Sequence, residues 1–251
     1  MFEKGRLNNK TVVITGGARG IGRQIAVDFS KSGYNVVIGY NKSKEKALSL
    51  IKELRNFNPN IICLKADLSL DKEARELVLH AIEQFGHIDV LVNNAGISQQ
   101  KLFTQITKSE WNKMFYVNMG GCFACTQEAV KDMLKRKNGK IINISSIWGI
   151  SGAACEVHYS TFKAAIIGFT KALAKELGPS GIQINCVAPG VIDTDMNSDL
   201  DKDALNDLIN QTPLQRLGTP EDVSNVVLFL ASESSNFITG QIISPNGGFV
   251  I

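Results

Sequence analysis

The chain has 251 residues, 44% of them hydrophobic and 20% charged, which suits one large soluble domain with a full core. A net charge of +3, with no basic stripe along a helix face, argues against nucleic acid as a partner. No run approaches the roughly 18 apolar residues of a membrane span, and MFEKGRLNNK lacks the apolar centre of an export signal, so no membrane association and a cytoplasmic location are expected.

A short β-branched strand is expected at 11–15, followed directly by Gly16-Gly17-Ala18-Arg19-Gly20-Ile21-Gly22 and a helix over 21–31. Strand, glycine loop and helix is the setting in which bare backbone approaches a pyrophosphate and a helix N-terminus supplies amides and a positive dipole end. A tight turn alone would use the same glycines. The alternation continues with strand 35–39, helix 44–57, strand 61–65, helix 72–85 and strand 88–92. One long helix is expected from about 110 to 136, ending in Lys135-Arg136-Lys137, where cations suit the macrodipole. Strand 140–145, helix 157–177 and strand 183–187 follow, then a loop rich in Asp, Asn and Thr, helix 220–231 and a last strand at 241–244.

Strands and helices in strict turn imply an α/β fold: a single-domain, Rossmann-type, doubly wound parallel sheet with helices on both faces. Residues 1–251 would form one dinucleotide-binding catalytic domain. The cysteines at 63, 122, 125, 155 and 186 are scattered, and the Cys122/Cys125 pair has no partner cluster, so buried thiols and no metal are expected.

In such a sheet the ligand lies outside the carboxyl ends of the strands. The residues there are the glycine loop, Asp67 and Leu68, Asn93 to Gly96, Ser145 and Ser146, and Pro189 and Gly190. Asp67 would accept from an adenine amino group, and Asn93, Ala95 and Gly96 would line the adenosine ribose; each also suits a helix cap or turn. Tyr159 and Lys163 stand at i and i+4 on the helix after Ser146. An ammonium one turn away favours a phenolate and lowers a phenol's pKa from about 10, which suits acid or base work near neutrality. The same spacing also occurs on ordinary helix surfaces. Glu156, three residues before Tyr159, is either a helix-end acid or a counter-ion for a cationic ketone.

Thr15-Gly16-x-x-x-Gly20-x-Gly22, Asn93-Asn94-Ala95-Gly96, Asn118, Ser146, Tyr159-x-x-x-Lys163 and Pro189-Gly190 together resemble the short-chain dehydrogenases/reductases over nearly the whole chain. The resemblance implies a catalytic set of Asn118, Ser146, Tyr159 and Lys163. Tyr159 would give its proton to a carbonyl oxygen, Ser146 would orient that oxygen, and Lys163 would lower the Tyr159 pKa and hold the nicotinamide ribose. Asn118, at a bend in the long helix, would anchor a proton-relaying water. Ile192 and Thr194 would join the cofactor contacts, Trp148 and Glu156 the substrate contacts, and 191–212 would form the substrate lid.

NAD readers place an acid at the end of the second strand. Here Tyr40, Asn41 and Lys42 stand there, and Arg19 lies in the glycine loop, which favours NADPH over NADH.

Within the family, Pro189 through Met196 and Ile238 through Gly248 most resemble 3-oxoacyl-[acyl-carrier-protein] reductases, implying a role in fatty acid biosynthesis and an acyl carrier protein as partner. Basic residues beside the cleft serve docking there; Lys137 matches one, and Ser180 holds the other place. The stretches around Trp148 and Cys155-Glu156 also resemble elongation factor P 5-aminopentanone reductases, which act on a modified protein lysine. A non-catalytic dinucleotide sensor is a third reading, disfavoured by the intact catalytic set. The resemblance also implies a homotetramer, compatible with Ile166, Ile167, Phe169 and Leu173 on more than one face of helix 157–177.

Overall fold

The computed structural model describes residues 10–195 and 202–251. β1 (Thr11–Ile14) leads through the glycine turn into α1 (Gly20–Lys31), followed by β2 (Asn35–Tyr40), α2 (Lys44–Leu54), β3 (Ile61–Lys65), α3 (Asp71–Phe85) and β4 (Val90–Asn93). The second half holds α4 (Lys108–Phe115), α5 (Gly121–Arg136), β5 (Gly139–Ile144), the short α6 (Trp148–Ser151) and α7 (Val157–Leu177). β6 (Ile182–Val187), α8 (Lys202–Gln211), α9 (Pro220–Ala231) and β7 (Ile242–Ile243) complete it.

The strands form one parallel sheet in the order β3-β2-β1-β4-β5-β6-β7. The order reverses between β1 and β4, which opens a crevice at their carboxyl ends. Both faces of the sheet are covered, which is why the strands read as continuous apolar runs. Val12 and Ile14 pack on one side with Ile25 and Phe29 of α1 and Val227 and Leu230 of α9. Val13 points the other way, to Leu77 of α3 and Ala129 of α5.

The one long helix expected over 110–136, with a bend at Asn118, is divided at that bend. A capping box, with Thr107 Oγ1 accepting from Glu110 N–H and Glu110 reaching back to the Thr107 N–H, starts α4 at Lys108. A π-turn over Tyr116–Gly120 then separates α4 from α5 and carries the buried Asn118. Gly121 follows because a Cβ there would stand 2.6 Å from Leu68 Cβ. The stretch expected as a loop before helix 220–231, which includes the expected lid over 191–212, contains α8, whose amphipathic pattern lies among polar residues. The first nine residues and 196–201, including Met196 and part of the expected lid, lie outside the described residues. Among the described residues no helix is long and apolar enough to cross a membrane, and no cluster of metal-ligating side chains occurs.

Candidate active site

The β1 and β4 ends are stitched together by one side chain. Thr15 Oγ1 accepts the N–H of Asn94 and of Ala95, each at 3.0 Å, and Asn94 Nδ2 donates back to Thr15 O (3.0 Å) and Gly16 O (3.1 Å). Backbones approach closely here: a Cβ on Gly16 would lie 2.9 Å from Ala95 Cα, and one on Gly22 would lie 2.3 Å from Gly16 O. Gly16 and Gly20 have φ of +65° and +52°, which a side chain would oppose. At the head of α1, Arg19 makes no side-chain cap and no acid occupies the first turn. Its leading amides and dipole therefore face the cleft, and these residues fit the pyrophosphate of a dinucleotide.

The cleft that opens there has a volume of about 810 Å³. Gly16, Arg19, Gly20, Ile21 and Gly22 line its head, and Tyr40, Asn41, Lys42, Asp67 and Leu68 line the end toward β2 and β3. Ala95, Gly96, Pro189, Gly190, Ile192 and Thr194 line the middle. Asp67 is engaged in its own turn, with Oδ1 accepting from Ser69 N–H (3.0 Å) and Ser69 Oγ–H (2.7 Å). The Ser69 hydroxyl is the main cause of its lowered carboxyl pKa, with Asn41 and the Lys42 charge assisting. Across the cleft, Lys46 of α2 meets Asp195 at 2.5 Å, an exposed pair.

Asn93 corrects the expectation placed on it. Strand alternation turns its side chain under the sheet, where Nδ2 donates to Thr126 Oγ1 (2.9 Å) and Asn143 Oδ1 (2.8 Å), and Asn94 faces the cleft instead.

Ser146, Trp148, Glu156, Tyr159 and Lys163 converge on the β5 side of the cleft. Lys163 Nζ donates to Ile144 O (2.8 Å) and stands 5.6 Å from the Tyr159 ring centroid. Ser145 Oγ donates to Lys163 O (2.7 Å), which fixes the turn of α7 beneath it. Asn118 lies behind the cleft wall, accepting from Ile97 N–H (3.2 Å) and donating to Ile97 O (3.1 Å) and Met114 O (3.0 Å). Gly96 lets these groups approach, since a Cβ there would be 2.7 Å from Asn118 Oδ1 and 3.4 Å from Lys163 Nζ.

Electrostatics here depart from the sequence expectation that Lys163 lowers the Tyr159 pKa. Burial pushes the phenol up to about 12, the Ser146 hydrogen bond pulls the other way, and the Glu156 charge raises it further. Burial also pushes Lys163 down to about 8. Both groups are buried, and desolvation is the largest cause of each shift. Tyr159 is thus fully protonated near neutrality, the form that donates.

Glu156 occupies the N-cap position of α7 but makes no capping bond; Oε1 accepts from Gln100 Nε2 at 3.5 Å, and burial raises its pKa. Lys137 also requires correction, and Ser180, which holds the other docking place, shares its setting. Each stands two positions before the first residue of a strand, β5 and β6 respectively, so both lie at the amino edge of the sheet, away from the cleft. Sequence reasoning missed Gln99, His158 and Glu110, which hydrogen-bond in a chain beside Tyr159. The Thr107-x-x-Glu110 capping box was the available signal for one of them.

A family profile described as "Enoyl-(Acyl carrier protein) reductase" matches residues 16–250. The chain is 41% identical over 244 residues to 3-oxoacyl-[acyl-carrier-protein] reductase FabG of Aquifex aeolicus, covering 97% of this chain and 98% of that one. It is 40% identical over 240 residues to the Staphylococcus epidermidis protein of the same name, covering 96% and 98%. A crystal structure of a short-chain dehydrogenase/reductase (SDR:Glucose/ribitol dehydrogenase) from Brucella melitensis superposes with a TM-score of 0.91 at 35% identity, covering 97% and 98%. The chain belongs to the short-chain dehydrogenase/reductase family. Family membership makes it an NAD(P)-dependent oxidoreductase, and the short-chain dehydrogenase/reductase fold places its cleft at the β1/β4 switch point.

Proposed function

We propose that the protein is an NADPH-dependent reductase that converts a ketone to a secondary alcohol, with a 3-oxoacyl thioester as substrate. The observation that carries this reading is the pair of buried hydroxyls, Ser146 and Tyr159, that share the lining of the β5 side of the cleft. Two hydroxyls together suit the oxygen of a carbonyl, which accepts from both. The relatives' 3-oxoacyl names put an acyl thioester first among ketones.

A bound reduced nicotinamide supplies hydride to the carbonyl carbon. Tyr159 donates its proton to the carbonyl oxygen, where negative charge grows in the transition state. Ser146 holds that oxygen by a second hydrogen bond. The Lys163 ammonium stabilises the phenolate left behind, and Asn118 fixes the rim at Ile97 and with Gly96 frames Lys163. Arg19 and Lys42 line the end of the cleft where β2 closes on Tyr40 rather than on an acid, which favours a 2′-phosphate.

Assembly as a homotetramer in the cytoplasm completes the reading. It is supported by small exposed residues on the outer face of α7 (Ala164, Ala165, Gly168) and by exposed Phe115, Tyr116 and Phe123. Carrier-protein delivery rests on the relatives' names, since Lys137 and Ser180 stand away from the cleft.

The test is NADPH oxidation against a panel of acetoacetyl thioester, an amine-bearing ketone and a steroid ketone. Preferred turnover of the thioester is expected; no turnover of any ketone would refute the reading.

A further inference from the structure

Residues 99–101, on the rim after β4, are tied to the start of α7 at every position. Lys101 N–H donates to Cys155 O (2.7 Å), His158 Nε2 donates to Gln99 Oε1 (3.1 Å), and Gln100 Nε2 donates to Glu156 Oε1 (3.5 Å). Gln99 is held from both ends. Its amide nitrogen donates to Glu110 Oε1 (2.9 Å), a carboxylate that also receives Lys101 Nζ (2.7 Å) and the N–H (2.8 Å) and hydroxyl (2.7 Å) of Thr107. The Lys101 ammonium, then the Thr107 donors, hold Glu110 far below the usual carboxylate range, so it only accepts. Gln99 must therefore turn its NH₂ to Glu110 and its oxygen to His158.

That choice fixes the His158 ring. Its proton sits on Nε2, and Nδ1 is left buried without a partner among the described residues, in a fully buried side chain. An imidazole with one nitrogen unpaired is a poor choice for filling space, since an apolar side chain would pack there without the penalty. His158 directly precedes Tyr159, and Gln99 lines the cleft. The cofactor side of the same rim is pinned independently, by Thr15 on Asn94 and Ala95 and by Asn118 on Ile97.

We propose that Gln99 and His158 are positioning residues of the reduction, locking the substrate rim to the turn that carries Tyr159 so that the ketone meets the phenol in one orientation. This rests on Tyr159 as proton donor. The lock acts on the ketone and leaves dinucleotide binding alone.

The experiment compares Gln99→Ala, His158→Leu and His158→Gln in the full chain, using NADPH and acetoacetyl-coenzyme A. Glutamine at 158 places an N–H where Nε2 stood; leucine keeps bulk without a donor. Gln99→Ala and His158→Leu should lose about tenfold to a hundredfold in kcat/KM, with NADPH affinity and melting temperature near wild type. His158→Gln should recover most of the loss. Amide hydrogen exchange at 99–101 should rise in the first two variants and not in the third. Wild-type kcat/KM in Gln99→Ala and His158→Leu, or His158→Gln no better than leucine, would overturn the proposal. A wild type that reduces no ketone would sink the proton-donor reading instead. Exchange then decides the lock by itself: unchanged protection in both disruptive variants refutes it, and a rise reversed by glutamine supports it.

Discussion

At the β1 side of the cleft, backbone meets backbone. Gly16 and Gly22 allow approaches that any Cβ would block, and Thr15 spans two strands with one oxygen. At the β5 side, the site is assembled from side chains of distant segments: Ser146 after β5, Tyr159 and Lys163 on α7, Asn118 in a π-turn, and Gln99 on the rim. The first region fits a pyrophosphate, for which main-chain amides and a helix dipole are the natural donors. In the proposed function the second discriminates and transfers a proton, which calls for side chains whose burial sets their charge. The lesson is that the two regions should fail separately.

Tyr159→Phe should break the second region alone. Turnover should fall by about 10²–10⁴, the range for a lost general acid, while NADPH binding survives in a fluorescence titration. Near-normal turnover would remove Tyr159 from the mechanism.

Tyr40→Asp should alter only the first region. A carboxylate at the end of β2 should shift preference from NADPH toward NADH by tenfold or more, about 1.4 kcal/mol, with the ketone KM unchanged. A wild type that already prefers NADH would sink the reading of Arg19 and Lys42.

Acidity sharpens the contrast. Lys163 sits at about 8, so raising the pH removes its proton and the support for the phenolate, while Tyr159, at about 12, stays protonated. The pH profile of kcat/KM should therefore bend downward near 8 and fall about tenfold per unit above it. A profile flat to pH 10 would exclude Lys163 as the group.

Glu156→Gln should give the smallest effect on an acyl thioester, because the Glu156 side chain bonds Gln100 and makes no cap. A KM rise confined to an amine-bearing ketone would instead mark Glu156 as a counter-ion and shift the substrate class.

The sequence by itself determined the alternation of β1 through β7 with the helices, the glycine turn, and the Tyr159–Lys163 spacing. These rest on local rules: apolar runs for strands buried on both faces, glycine where φ is positive, and i to i+4 on one helix face. The boundaries of α9 were legible for the same reason, since its cap and period agree, and those of α7 followed from its period alone. The side-chain direction of Asn93 was not, because it depends on which strand residue ends the ladder. Nor were the π-turn at Asn118, helix α8, or the placement of Lys137 at the amino edge of the sheet. Only the tertiary structure decided the charge state of the site. The chain supplies a phenol and an ammonium four residues apart, but burial drives Tyr159 and Lys163 each toward its neutral form, against the shift their spacing suggests. Desolvation depends on what every other element packs around a group, and no local pattern encodes it.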